Sequence, residues 1–320
     1  MDIAKLIFES IDKIFNKSQN EVVKIEESEN VDVISDIKYS KSKTAKLLDC
    51  YYDRRVIADK NPVVFYIHGG GFVAGGKEYR KALSTWYAIN GFFVVNADYG
   101  LSPECKFPKQ IEHLISALNW IKNNAEKYNL DLDKIVFAGD SAGAYFAAMV
   151  ACVCVNSDLQ QKFKVKTDLR PCATILNCGI YDVMSILDKK IILGLNTKIF
   201  ESYTGIKKEE IDKYKYKEVC SPISIIDKDF PPTFLIYAEK DVFCAGQAEL
   251  LVKKFDELDI YFESYHSTSM FANHCFSLEW KSVPAQQANI LQENFLSKIK
   301  NGDLPKHQSE TTIYIREEEK

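Results

Sequence analysis

The sequence predicts an α/β fold in which a mostly parallel sheet is covered by helices on both faces, a three-layer arrangement. Two observations predict it. Short runs of β-branched, aromatic and aliphatic residues alternate along the chain with longer segments of helical period. The runs are also apolar throughout, as strands are when both faces of a sheet are buried.

Each element follows in order. Residues 3–16 place Ile3, Leu6, Ile7, Ile11, Ile14 and Phe15 on one helical stripe, within an N-terminal segment taken as 1–30. Residues 31–40 and 45–57 read as two strands. Pro62–Ile67 and Phe92–Ala97 are apolar strands, and Ile111–Tyr128 has helical period. Lys134–Ala138 is a strand running into the apolar helix 142–155. Cys172–Cys178 and Thr233–Ala238 are strands, Ala245–Leu258 a helix, Ile260–Tyr265 the last strand and 284–300 the last helix. The main body therefore spans 31–300. Residues 183–220 interrupt the alternation with a Lys-, Tyr- and Ile-rich stretch that reads as a helical insertion. The tail, 301–320, is polar and reads as solvated, with ETTIYIRE a candidate strand.

Composition narrows the function. The 320 residues carry 41 Lys+Arg against 45 Asp+Glu, a net charge of −4, without the basic face of a nucleic-acid binder. With 46% hydrophobic residues the chain can build a large core. No run approaches the ~20 apolar residues of a membrane-spanning helix. Nine scattered cysteines and an N-terminus without a signal-peptide core lead us to expect free thiols and a cytoplasmic protein. Cys152 and Cys154 form a CxC pair inside an apolar run and read as buried small hydrophobes, since no Cys/His pair at zinc spacing accompanies them. An open sheet edge leaves a homodimer possible.

Chemistry concentrates at Gly139-Asp140-Ser141-Ala142-Gly143, between the strand KIVFA and the helix AGAYFAAMVACVCV. A GxSxG at a strand-to-helix turn is a nucleophile elbow, which lifts the serine hydroxyl off the sheet's carboxyl edge. A second signal, His68-Gly69-Gly70-Gly71-Phe72, follows the strand PVVFYI. Its glycines leave backbone N–H groups open to a ligand, as an oxyanion hole requires. We assign the donors to Gly70, Gly71 and Ala142, and give His68 a loop-orienting role.

A serine alcohol needs a base, and the base needs an orienting carboxylate. Of His68, His113, His266, His274 and His307, His113 lies inside a predicted helix and His307 in the tail, while His266 ends the last strand and His274 sits in the loop after it. The order Ser…Asp…His favours His274, with His266 as alternative. Asp241, at the exit of TFLIYAEKD, is the candidate acid, with Glu239 as alternative. Ser141 and Asp241 are 100 residues apart, and Asp241 and His274 are 33 apart, room for one strand–helix unit in the latter gap. Asp140 is read as a structural residue of the elbow. Phe72 and Phe271 are candidates for the substrate-binding wall. Phe8, Phe15, Ile191, Leu193, Phe200 and Tyr203 either line an acyl pocket or pack a cap.

With these residues in hand, the sequence from about 45 to 300 resembles the hormone-sensitive-lipase-like branch of the α/β-hydrolase fold. The resemblance rests on HGGGF, Asp98-Tyr99-Gly100-Leu101-Ser102-Pro103-Glu104, Phe107-Pro108, GDSAG, Asp241 and His274. The family usually reads D-Y-R-L-A-P-E, so Gly100 stands for an arginine and Ser102 for an alanine. It often has Pro-Leu after the acid, where this chain has Val242-Phe243. The resemblance implies a mostly parallel eight-stranded sheet with a cap made from the N-terminal helix and 183–220. It implies an esterase or lipase acting on short-to-medium acyl esters, with a small-molecule ester as partner and no metal or other cofactor. An amidase, carbamoyl hydrolase or acyltransferase would use the same triad. A hormone-binding module of this fold would have lost its histidine, and His274 is present. The ~150 residues usual for a domain would divide this length in two, but the motif order gathers distant residues at one sheet edge, so the excess length reads as a cap.

Overall fold

The computed structural model describes residues 3–22, 28–44, 47–56, 58–189, 191, 194–305, 307 and 314–316. The strands are β1 (Val31–Lys38), β2 (Leu47–Asp53), β3 (Asn61–Ile67), β4 (Phe93–Ala97), β5 (Leu130–Asp140), β6 (Ala173–Asn177), β7 (Thr233–Ala238), β8 (Phe262–Ser267) and β9 (Tyr314–Arg316). They form one sheet in the order β1-β2-β4-β3-β5-β6-β7-β8-β9. β1 pairs antiparallel with β2 and β2 antiparallel with β4, and every later pair is parallel. The eight expected strands are all present. The ninth comes from the polar tail, where Tyr314 registers with Ser264 and Arg316 with His266. The last expected strand starts two residues later than its apolar run, and Ile260, ahead of it, makes an isolated antiparallel bridge with His307.

Helices cover both faces. One face carries α3 (Lys109–Asn123), α4 (Ala142–Val155) and α9 (Gln247–Leu258), with Phe65, Phe137 and Leu176 of the sheet beneath them. The other carries α2 (Lys81–Ile89) and α10 (Val283–Asn301) over Val64, Tyr66, Val136 and Phe234. Residues Ala142 to Cys154 of α4 are all buried, as an all-apolar helix requires. Cys152 and Cys154 are free thiols in that buried run. A further helix, α5 (Ser157–Phe163), follows at once, started by Asn156, whose side chain accepts from the Asp158 and Leu159 amides. The 183–220 stretch contains α6 (Val183–Leu187), α7 (Leu195–Thr204) and 3-10 helix at Lys208–Lys213 and Lys217–Val219, and the short α8 (Pro222–Ile225) follows it.

The N-terminal helix α1 (Ile3–Asn20) forms as expected, and Ile7, Ile11 and Phe15 of its apolar stripe pack partly buried, but the stripe's centre is shifted. Ala4, Phe8 and Asp12, spaced by four, point inward, while Ile3, Leu6 and Ile14 are exposed. The reason is electrostatic. Asp12 meets Arg80 at 2.8 Å with both side chains buried, and this pair fixes the helix's rotation. Among the described residues no single helix is long and apolar enough to cross a membrane.

Candidate active site

The nucleophile elbow forms where β5 ends and α4 begins. Ser141 sits at φ 53 and ψ −119, a conformation costly for a non-glycine residue and typical of functional turns. The turn closes because Gly143 has no side chain: a Cβ there would lie 2.0 Å from the Ile67 carbonyl oxygen on β3. The Ser141 amide donates to the Asn177 carbonyl at 2.8 Å, tying the elbow to β6.

Three loops bring the candidate triad together. His274 Nε2 lies 2.8 Å from Ser141 Oγ. Its Nδ1 lies 2.9 and 3.0 Å from the two Asp241 oxygens. The carboxylate can only accept, so Nδ1 carries the proton and Nε2 presents its lone pair to the serine. Asp241 Oδ1 also accepts from the Phe243 and Cys244 amides at 2.9 and 2.8 Å. Burial pushes the Asp241 carboxyl up, but the imidazole and these two amides outweigh it and hold the group below its usual value. Asn273, which the sequence reading did not single out, staples the acid loop to the base loop. Its Oδ1 accepts from the Val242 amide at 3.1 Å and the His274 amide at 2.7 Å.

The alternatives lie elsewhere. Glu239 is exposed. His266 stacks on Tyr237 within the sheet. His68 Nδ1 donates to the Gly69 carbonyl at 2.7 Å, and its ring stacks on Tyr99 at 4.4 Å, so it braces the glycine loop. Gly70 takes φ 114 in that loop, and a Cβ would meet the Ala74 carbonyl oxygen at 2.2 Å. Its own carbonyl accepts from the Ala74 amide at 2.9 Å, so the turn is closed.

At the two departures from the family motif, Cys105 Sγ and the His113 ring crowd Gly100, where a Cβ would lie 2.2 and 2.9 Å from them, and His113 Nδ1 on α3 accepts from the Gly100 amide at 3.2 Å. Ser102 Oγ donates to the Cys105 carbonyl at 2.9 Å. Asp140 is buried, bonded to Arg80 and to the Tyr66 hydroxyl at 2.7 Å. Burial pushes its carboxyl up, and the Arg80 guanidinium with these hydrogen bonds overcomes that and keeps it low.

An apolar cavity opens on Ser141. Gly71, Phe72, Phe200, Tyr203 and Phe243 form part of its wall, and the centre of a water-sized sphere can reach about 60 Å³ of it. Phe72 stacks on Tyr203 at 4.2 Å. Phe8 and Ile191 also reach it, so α1 and the 183–204 segment both border the site. Phe15 instead packs against the core on the other sheet face. Leu193 lies outside the described residues. Phe271 does not line the cavity: it is 81% exposed, and Phe243 meets the His274 ring edge-on at 5.0 Å. Adjacency to His274 in sequence suggested Phe271, but the turn through 270–273 carries its ring outward.

Comparison with known proteins bears on the family and the fold. A family model described as BD-FAE matches residues 48–255. The acetyl esterase of Salmonella schwarzengrund is 26% identical over 191 residues, 56% of this chain and 55% of that protein. The chain thus spans about half the length of the curated relatives it matches. Among solved structures, esterase B from Lactobacillus rhamnosis superposes with TM-score 0.77 at 21% identity, covering 90% of this chain and 91% of that one. The same esterase is also known with a C4-C4 SN3 tributyrin phosphonate, at TM-score 0.76, 21% identity and coverage of 90% and 91%. A thermophilic carboxylesterase cloned from a metagenomic library gives TM-score 0.71 at 22% identity, covering 95% and 99%. These likenesses establish the α/β-hydrolase fold, and the family match extends over well over half of the sequence: the chain belongs to the BD-FAE family.

Proposed function

We propose that this chain is a serine ester hydrolase of short acyl esters, working through an acyl-enzyme. The observation that carries the reading is the hydrogen-bonded line Ser141–His274–Asp241 opening on a narrow apolar cavity. Ser141 Oγ attacks the ester carbonyl carbon while His274 Nε2 takes its proton. The carbonyl oxygen, now negative, accepts from the N–H groups of Gly70, Gly71 and Ala142; such a donor is typically worth ~100- to 1,000-fold in rate. Asp241 holds the imidazole tautomer and stabilises the imidazolium. The C–O bond then breaks, His274 gives its proton to the leaving alcohol, and water repeats the sequence to release the acid.

The cavity supports the short end of the acyl range. Helix α1 and residues 183–204 act as its cap. A ligand chain must fit between Phe72, Phe200, Tyr203 and Phe243, whose rings leave little width. The acetyl esterase relatives and the tributyrin-derived inhibitor on the structural neighbour point the same way. Nine unpaired thiols support a reducing compartment, the cytoplasm, as its place of action. The test is turnover of p-nitrophenyl esters of rising acyl length, with matched anilides. Highest kcat/KM on acetyl to butyryl esters, with anilides at least tenfold slower, is the expected profile. A preference for anilides or for long acyl chains would overturn it.

A further inference from the structure

Three cysteines gather around the acid–base pair, and the ester mechanism uses none of them. Cys178 follows β6, Cys275 follows His274, and Cys244 lies three residues past Asp241; all are buried free thiols. The Sγ atoms of Cys178 and Cys275 lie within 4.8 Å of each other and of a ring nitrogen of His274. Cys244, Asp241 and His274 form a second trio whose ligand atoms also lie within 4.8 Å of one another. Buried cysteines are common as small hydrophobes. These differ in their backbone: Cys178 has φ 49 and Cys275 φ 53, left-handed conformations that a non-glycine residue seldom adopts. Both sulfurs therefore reach the imidazole from locally strained turns that the surrounding structure must hold.

Two thiols, an imidazole and a carboxylate are the donors that tetrahedral zinc and its softer analogues take. The geometry points to an inhibitory site for a thiophilic divalent cation, zinc or cadmium, on Cys178, Cys275 and His274. Asp241 belongs to the second trio and is hydrogen-bonded to His274 Nδ1 at 2.9 Å, so a water takes the fourth position, as it does beside three protein ligands. Binding breaks two S–H bonds and forms two metal–sulfur bonds, two protons leave to the buffer, and no oxidation state changes. The third bond uses an imidazole lone pair. If the metal takes Nε2, the base is blocked outright. If it takes Nδ1, the neutral ring carries its proton on Nε2, which then cannot accept the serine proton. Either geometry removes the base, so occupancy and turnover exclude each other. The inhibitory part rests on the proposed ester mechanism; the binding part does not.

Cadmium titrated into the full chain without substrate tests the site. One equivalent should raise the ultraviolet thiolate-to-cadmium charge-transfer band. Zinc and cadmium should also stop ester turnover, with EDTA restoring it and magnesium having no effect. Cys178→Ser and Cys275→Ser should each lose the band and raise the half-inhibiting concentration at least about tenfold, while Cys172→Ser, away from the site, behaves as the parent chain. Should a serine variant fail to fold, cadmium NMR of the parent chain counts its sulfur ligands, two being expected. No band at one equivalent, or undiminished inhibition in both folded variants, would overturn the proposal. A band from a chain that turns over no ester would keep the metal site and sink the ester reading.

Discussion

Arg80 grips Asp140 with two hydrogen bonds, Nε to Oδ1 at 2.9 Å and a terminal nitrogen to Oδ2 at 2.6 Å, one residue before the candidate nucleophile. The same guanidinium reaches Asp12 of α1 at 2.8 Å. Phe8, one turn earlier on that helix, covers Gly71, where a Cβ would lie 2.2 Å from its ring. One buried cation therefore ties the elbow to the helix that borders the cavity.

Removing the cation leaves two buried carboxylates unpaired. Arg80→Met should cost about 3–5 kcal/mol, the usual result of breaking a buried pair from one side. Asp12→Asn should cost less, because Asp140 still pairs with Arg80. Urea midpoints of the two variants check this. A cost for Arg80→Met no larger than that of a surface change, within about 0.5 kcal/mol, would contradict the network.

Much of this site was legible in the sequence, for a definite reason. Ser141, Asp241 and His274 each follow a strand of one parallel sheet, so strand order alone brings them to one edge. The Asp12–Arg80–Asp140 network left no such trace, since its members sit on a helix, a single turn and a strand end with no shared period. The N-terminal stripe misled in part for the same reason. Apolar periodicity favours Ile3, Leu6, Ile7, Ile11, Ile14 and Phe15; Ile7, Ile11 and Phe15 do pack, but the buried Asp12–Arg80 pair centres the face on Ala4 and Phe8 and leaves Ile3, Leu6 and Ile14 exposed. Phe271 is near His274 in sequence but points away from it, whereas Phe243, distant in sequence, reaches the His274 ring from the acid loop. The tail strand was legible as ETTIYIRE, and its Tyr314–Arg316 portion pairs with β8.

His113 gives a pH signature. Burial lowers its pKa from 6.5 to about 4, so the unfolded chain binds the extra proton first as pH falls. Stability should therefore drop between pH 6.5 and pH 4, by up to about 3 kcal/mol, and level off below. Denaturant unfolding at a series of pH values measures it. His113→Gln should flatten this segment; an unchanged slope would mean that His113 is not held neutral.

Asp241→Asn should keep the fold and lose the chemistry. An amide can donate to Nδ1 and leave the proton on Nε2, the wrong tautomer for accepting from Ser141. A fall of about 10⁴-fold in kcat is the expected size. Turnover within tenfold of the parent chain would remove Asp241 from the mechanism.

Leu195 on α7 is buried against Ala4 and Phe8 and lines the cavity. Leu195→Ala should lengthen the cavity and move the preferred acyl chain toward longer esters, at a stability cost of about 2–5 kcal/mol. A chain-length series on the folded variant reads the shift. An unmoved optimum would place the acyl group elsewhere.

The central claim is that Ser141 is a nucleophile activated by His274, and covalent labelling tests it most directly. A fluorophosphonate incubated with the full chain should add one phosphonyl group, found on the Ser141 peptide by mass spectrometry. Ser141→Ala should abolish the adduct and the esterase activity together, and His274→Ala should slow labelling at least about 100-fold. Labelling at another residue, or esterase turnover that survives Ser141→Ala, would contradict the account.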